Sequence, residues 1–107
     1  MRERSAEGAP NRQVLLTLLR TDRGRLERAG VRRAALFGST ARGDANAASD
    51  VDVLVVLDPD AHVGLLAFAA LQEHLRGLFG RDVDLISRGA LQPDRDAAIL
   101  KEAVWAF

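Results

Sequence analysis

Residues 36–57 read LFGSTARGDANAASDVDVLVVL, and this stretch decides the fold of the chain. Its apolar start breaks at Gly38 and Ser39, ten mostly small or polar residues follow, and Asp50-Val51-Asp52 opens a second apolar run. Two strands joined by a compact loop are the simplest interpretation. Because side chains at positions i and i+2 of a strand share a face, we expect Asp50 and Asp52 to project side by side.

The two carboxylates and the glycine-serine break together point to phosphate chemistry. Neighbouring carboxylates repel each other unless a cation lies between them, and a hard divalent ion is the usual partner. Gly38 and Ser39 end the first strand and precede a short helix, where outward-pointing backbone N–H groups bind anions. This combination predicts a site for a nucleoside triphosphate carried on magnesium.

Hydrophobic patterns in the rest of the chain predict a small domain of the α/β (α+β) class. The expected elements are helices at 10–21, 22–29, 61–79 and 94–103, and strands at 31–37, 50–57 and 81–87. Such a succession predicts a mixed sheet of three to four strands with helices packed against it. The unbroken apolar run of the second strand favours a central position. We expect residues 1–9 to be flexible and residues 10–107 to form a single domain.

A third carboxylate is available on the third predicted strand. Asp84 stands between Val83 and Leu85, which would face the core while Asp84 turns away from it. If this strand neighbours the second, Asp84 can complete a two-metal site with the first pair of acids. Asp84 could equally be a solvent-facing acid at a strand end, and Asp82 on the same face is a rival of lower rank.

The spacing G-S-x10-D-x-D resembles the signature of the polymerase-beta-like nucleotidyltransferase superfamily. The fuller string G-S-T-A-R-G-D-A…S-D-V-D is most similar to the smallest branch, the minimal nucleotidyltransferases (MNT), which include antitoxins paired with HEPN-domain ribonuclease toxins. The resemblance covers roughly residues 30–105 and implies the polymerase-beta-like nucleotidyltransferase fold. Asp84, in the string V-D-L-I, matches the third acidic residue of this family.

Roles for individual residues follow from the resemblance. It implies that two Mg²⁺ ions are held by the catalytic carboxylates of Asp50, Asp52 and Asp84, and that nucleotide is bound by Gly38, Ser39, Arg42 and Ser49. Asp84 is also the candidate for helping to deprotonate the attacking hydroxyl. Two alternatives stay open, because Arg42 could instead form a salt bridge with Asp44, and Ser49 could only hydrogen-bond within the loop.

The resemblance also implies an activity. It predicts transfer of AMP from ATP to a hydroxyl, here a tyrosine of a cognate HEPN toxin, because the chain has no room for the helical domain that binds small acceptors in other superfamily members. The alternative is a non-catalytic antitoxin that occludes its partner. A hydrolase or glycosyltransferase would explain D-x-D but not the upstream glycine and serine. Nucleic-acid binding would require exposed aromatic residues interleaved with bases.

Composition sets limits on location and partners. The chain has 107 residues, 48% of them hydrophobic, no cysteine and no apolar leader, so we expect a cytoplasmic protein that binds neither membrane nor nucleic acid directly. Residues 1–42 carry ten arginines against four acids, and residues 43–107 carry five bases against eleven acids. The two halves could neutralise each other or leave a basic rim. His62 and His74 are expected at the surface, and Trp105 and Phe107 either in the core or in a partner-facing patch.

Overall fold

The computed structural model describes residues 8–107. The predicted flexibility of residues 1–9 therefore falls almost entirely outside the described residues, and it stays a prediction, as does the single domain at 10–107.

In chain order the elements are α1 (Arg12–Thr21), α2 (Arg23–Arg28), β1 (Val31–Phe37), α3 (Gly38–Arg42), β2 (Val51–Leu57), a 3₁₀ turn (Pro59–Ala61), α4 (Leu65–Phe79), β3 (Val83–Ser87), a second 3₁₀ turn (Arg88–Ala90), α5 (Pro93–Glu102) and β4 (Val104–Trp105). The predicted α/β class is confirmed.

The strands form one mixed sheet in the order β3-β2-β1-β4. β1 runs antiparallel to both β2 and β4, whereas β2 and β3 are parallel and are joined across one face by α4. The predicted central position of β2 is confirmed. The predicted range of three to four strands includes this number, but the position of the fourth strand was not predicted, because Val104 and Trp105 alone give no alternation to detect.

Helices cover the two faces of the sheet unequally. On one face α1, α2 and α4 close a continuous apolar core, which includes Leu15, Leu16, Leu19, Leu26, Val51, Val53, Val55, Leu71 and Leu75. On the other face a small cluster of Ala35, Phe37 and Leu54 packs against side chains from α5 and its flanks. Residues of β2 alternate between the two faces, as the period of a strand requires.

Several predicted boundaries were wrong. The long helix expected at 61–79 begins only at Leu65, because Asp58 accepts a hydrogen bond from the Asp60 N–H and turns the chain, and His62 adopts a left-handed φ of 51°. The second and third strands begin at Val51 and Val83, later than predicted. Val14, in the first turn of α1, is 55% exposed, although an apolar residue in an amphipathic helix commonly faces the core.

The two C-terminal aromatic residues are partly buried by packing within the fold. Trp105 lies against the second apolar cluster, and the guanidinium carbon of Arg33 lies 4.0 Å from the centroid of its ring. Phe107 packs on the first core, with the Arg23 guanidinium carbon 4.8 Å from its ring centroid. These contacts are typical of cation–π pairs. They favour the core interpretation over a partner-facing patch.

His74 is not a simple surface residue. Its Nε2 lies 2.6 Å from Asp22 Oδ2, so it ties α4 to the junction of α1 and α2 in a half-buried contact. The prediction failed because the partner lies far away in sequence. Within residues 8–107, no helix combines the length and the apolar character that crossing a bilayer requires.

Candidate active site

The register of the parallel strands brings the predicted acids together. Asp52 of β2 lies directly opposite Asp84 of β3, and Asp50 precedes Asp52 by two residues, so the backbone directs all three to one face. On the other side of β2, Asp52 lies opposite Phe37, the last residue of β1. The acids therefore lie where β2 and β3 start and β1 ends, on the face that α5 covers only in part.

Gly38 forms the wall of this site beside Asp52. Its φ of +68° lies in the left-handed region, and a Cβ built there would overlap the Asp52 carboxylate, with the Asp52 Cγ only 3.1 Å away. No other residue supplies both the backbone conformation and the space. The Asp52 side chain thus requires a glycine at position 38.

The three acids differ in exposure, and this sets their electrostatics. Asp52 is half-buried, while Asp50 and Asp84 are exposed. Burial raises the pKa of the Asp52 carboxyl, the nearby charges of Asp84 and Asp50 raise it further, and Arg42 opposes them. The ionised form of Asp52 is therefore costly, and a cation placed among the acids would offset that cost.

The donor chemistry fits a hard divalent cation. Carboxylate oxygens on one face of neighbouring strands are the ligands that Mg²⁺ takes in proteins, and after burial the charges of Asp84 and Asp50 are the next causes of the raised pKa of Asp52. The side chains are not already gathered, since no group of three or more His, Cys, Asp or Glu within residues 8–107 lies at metal-binding spacing. Any ion would have to draw the exposed Asp50 and Asp84 inwards.

Arg42, at the end of α3, makes two ion pairs. Its Nε lies 3.2 Å from Asp44 Oδ2, the salt bridge considered from the sequence, and its Nη1 lies 3.2 Å from Glu102 Oε2. The second pair joins the arginine-rich first part of the chain to the acidic second part. Arg42 is therefore held at the site by carboxylates.

Glu102 is a site residue that sequence reasoning missed. It ends α5, and its Oε1 accepts a hydrogen bond of 3.0 Å from the Gly38 N–H as well as contacting Arg42. No motif or spacing in the sequence connects Glu102 with Gly38, because α5 reaches the site only through tertiary packing.

The two predicted serines have different environments. The Ser49 Oγ accepts a hydrogen bond of 2.9 Å from the Asn46 N–H, so this hydroxyl is engaged within the loop. Ser39 is half-buried, and its carbonyl accepts the N–H groups of Gly43 and Asp44, which closes α3 with Gly43 in a left-handed conformation. The structure thus supports the loop alternative for Ser49 and leaves Ser39 beside Gly38.

Arg81 is a second missed residue, and it anchors the loop that leads into Asp50. Its guanidinium donates to the carbonyl of Gly8 at 2.7 Å and to that of Ser49 at 3.2 Å. The next residue, Asp82, faces Arg76 at 2.9 Å, and its carbonyl accepts the Val51 N–H. Asp84, rather than Asp82, is therefore the acid placed opposite Asp52.

Comparison with known proteins identifies this arrangement. A family described as nucleotidyltransferase domain matches residues 18–106. The chain belongs to this family. The chain is 42% identical over 79 residues to the protein adenylyltransferase MntA of Thermococcus cleftensis, which covers 74% of this chain and 78% of MntA. The predicted membership of the minimal nucleotidyltransferases and the predicted enzyme class, nucleotidyltransferase, are confirmed.

Solved structures agree on the fold. One protein assigned to the minimal nucleotidyltransferases is 36% identical, with a TM-score of 0.66 over 87% of this chain and 86% of that chain. A complex of a tri-AMPylated Shewanella oneidensis HEPN toxin with an MNT antitoxin gives a TM-score of 0.61 at 17% identity, over 86% of this chain and 71% of that one. At that identity the second likeness shows the fold alone.

Proposed function

We propose that this nucleotidyltransferase moves AMP from ATP to a hydroxyl of a partner protein, namely a tyrosine of a cognate HEPN-type toxin, and thereby acts as an antitoxin in the cytoplasm. The observation that carries the proposal is the register that pairs Asp52 with Asp84, beside Asp50 and against Gly38. The name of the Thermococcus relative supports a protein acceptor and an adenylyl donor.

In this proposal the carboxylates of Asp50, Asp52 and Asp84 would hold two Mg²⁺ ions. When bound, the ions would supply Lewis-acid activation and neutralise charge on the triphosphate. The raised pKa of Asp52 supports this role, because a group of acids that repel one another gains most from bound cations.

The remaining side chains would bind and orient the nucleotide. The Gly38 N–H, which already donates to the Glu102 carboxylate, would donate to an oxygen of the two phosphates that leave, and Ser39 would add its hydroxyl and N–H. Arg42 would neutralise the pyrophosphate that leaves. Ser49 would act indirectly, by fixing the loop through its bond to Asn46.

The chemical step needs one proton acceptor. The hydroxyl oxygen would attack the α-phosphorus, the new O–P bond would form as the bond to pyrophosphate breaks, and the hydroxyl proton would pass to Asp84. Asp84 suits this task because it is exposed and lies opposite Asp52 at the mouth of the site. The product would be an AMP ester of the acceptor, with pyrophosphate released.

The test uses the product of the neighbouring gene as acceptor, which this proposal expects to be a HEPN-type protein. We expect its intact mass to rise by one or more AMP units after incubation with this protein, ATP and MgCl₂. The increment should vanish with EDTA and with the double variant Asp50→Asn/Asp52→Asn. Inhibition of the toxin without any mass change, and equally strong with the double variant, would show the non-catalytic antitoxin instead.

A further inference from the structure

The anion site of the nucleotide pocket is filled by a side chain of the protein itself. Both oxygens of the Glu102 carboxylate are engaged, with Oε1 at 3.0 Å from the Gly38 N and Oε2 at 3.2 Å from Arg42 Nη1. These two donors are the ones that the proposed function gives to the triphosphate. A carboxylate resembles a phosphate group in charge and in its acceptor oxygens, so one can replace the other at the same donors.

We propose that Glu102 is an internal competitor of the triphosphate, and that nucleotide binds by displacing its carboxylate from the Gly38 N–H and Arg42. This inference rests on the proposed function and adds a residue to its site. After displacement, Arg42 is free to face the pyrophosphate portion. When pyrophosphate leaves, Glu102 returns to the same donors.

The surroundings of Glu102 allow this exchange. Its side chain is 29% exposed and that of Arg42 is 49% exposed, so both can rotate into solvent without opening the core. Arg42 keeps its second partner, Asp44, at 3.2 Å, which holds the guanidinium near the site while Glu102 departs. If the Glu102 carboxylate stayed in place, it would lie against the incoming phosphates, and like charges at this distance repel each other.

The competition is limited to the pyrophosphate portion of the nucleotide. Gly38 and Arg42 are assigned to the phosphates that leave, so a ligand that lacks them does not meet Glu102. Removing the Glu102 charge should therefore tighten Mg-ATP and Mg-pyrophosphate but not AMP. This selectivity separates local displacement from a general change in net charge.

The experiment measures dissociation constants of Mg-ATP, Mg-pyrophosphate and AMP by calorimetry for the native protein and for Glu102→Gln. We expect about tenfold tighter binding of the first two ligands to Glu102→Gln, and less than about twofold change for AMP. Glu102→Asp keeps the charge but shortens its reach, and should lie between the two. The control is Glu73→Gln, which removes an equal charge from an ion pair with Arg76 outside the site.

Each other result overturns the inference. Unchanged or weaker Mg-ATP binding by Glu102→Gln would show that Glu102 only positions Arg42, and equal tightening of all three ligands would show a general charge effect. If neither protein binds Mg-ATP at millimolar concentration, the proposed function fails and the inference with it. If the native protein binds Mg-ATP and only the variants behave differently from expectation, the inference alone fails.

Discussion

The two faces of the sheet differ in what covers them, although β2 contributes to both. Towards α1, α2 and α4 it presents Val51, Val53 and Val55, which are at most 1% exposed. Towards α5 it presents the half-buried Asp52, and the exposed Asp50 directly precedes the strand. A single strand therefore divides its residues by parity between a closed apolar face and an open acidic one.

The two faces therefore contribute differently to the stability of the fold and to the candidate active site. The closed face buries most of the apolar surface, so it supplies most of the hydrophobic contribution to folding. On the open face the half-buried Asp52 lies beside two other acids, and this arrangement opposes folding. The proposed metal site would require that charge. Substitutions on the two faces should consequently have opposite effects on activity and on stability.

The largest expected effect is on the open face. Asp52→Asn should lower the rate of AMP transfer by roughly a thousandfold or more, because it removes a carboxylate at the centre of the proposed metal site. The measurement is the initial rate of pyrophosphate release with the proposed toxin as acceptor. The matched control, Asp82→Asn, removes an equal charge from an exposed acid paired with Arg76 and should change the rate little. A large loss with Asp82→Asn and none with Asp84→Asn would reverse the choice of third carboxylate.

Asp52→Asn should also be more stable than the native protein at neutral pH in EDTA. The native pKa of Asp52 lies above its ordinary value of 3.8, so the folded state holds its proton more tightly than the unfolded state. Native stability therefore falls as pH rises from 3.8 to the raised pKa, and stays lower above it. Asp52→Asn lacks this loss. Urea unfolding measured between pH 3 and pH 8 should show that the variant has the larger free energy of unfolding at pH values above the raised pKa of Asp52. Below pH 3.8 the variant and the native protein should not differ.

On the closed face a substitution should lower stability and leave the transfer rate unchanged. Leu75 of α4 is fully buried, and Leu75→Ala should lower the free energy of unfolding by about 2–5 kcal/mol through lost burial and a cavity. Leu66 of the same helix is 86% exposed, and Leu66→Ala should change the free energy of unfolding by less than about 0.5 kcal/mol. Both are measured by urea unfolding. The rate per folded molecule should stay near the native value, and a selective loss of rate with Leu75→Ala would break the division between the faces.

The parts of the molecule that could be predicted from sequence are those with local signals. The apolar runs predicted β1 and β2 closely, and the spacing of small and acidic residues predicted that Gly38, Asp50 and Asp52 belong together. Asp84 was placed by its flanking Val83 and Leu85, which set the side of the strand on which it lies.

What sequence could not supply depends on long-range packing. Glu102 and Arg81 carry no periodicity or motif, and their contacts with Gly38 and Ser49 span 64 and 32 positions of the chain. The expected helix begins late because His62 adopts a left-handed backbone conformation, which a non-glycine residue rarely adopts. Each of these features needs the folded chain before its partner is known.

The smallest expected effect concerns residues 43–50, the loop that joins α3 to β2. Arg81→Met keeps the apolar stem of Arg81 but removes its bonds to the carbonyls of Gly8 and Ser49. We expect a loss of about 1–2 kcal/mol in the free energy of unfolding and a several-fold lower transfer rate, because Asp50 follows directly after the loosened loop. Faster amide hydrogen exchange in residues 44–50 is the measurement that distinguishes loop release from general destabilisation.

The exposed Arg88 offers the matched control for this change. Arg88→Met alters charge and size in the same way, away from the loop, and should leave both the exchange of residues 44–50 and the transfer rate close to native. If Arg81→Met also leaves that exchange unchanged, Arg81 does not anchor the loop. If the exchange rises while the transfer rate holds, the position of Asp50 is set by β2 itself, and the acidic face is then as firmly built as the apolar face behind it.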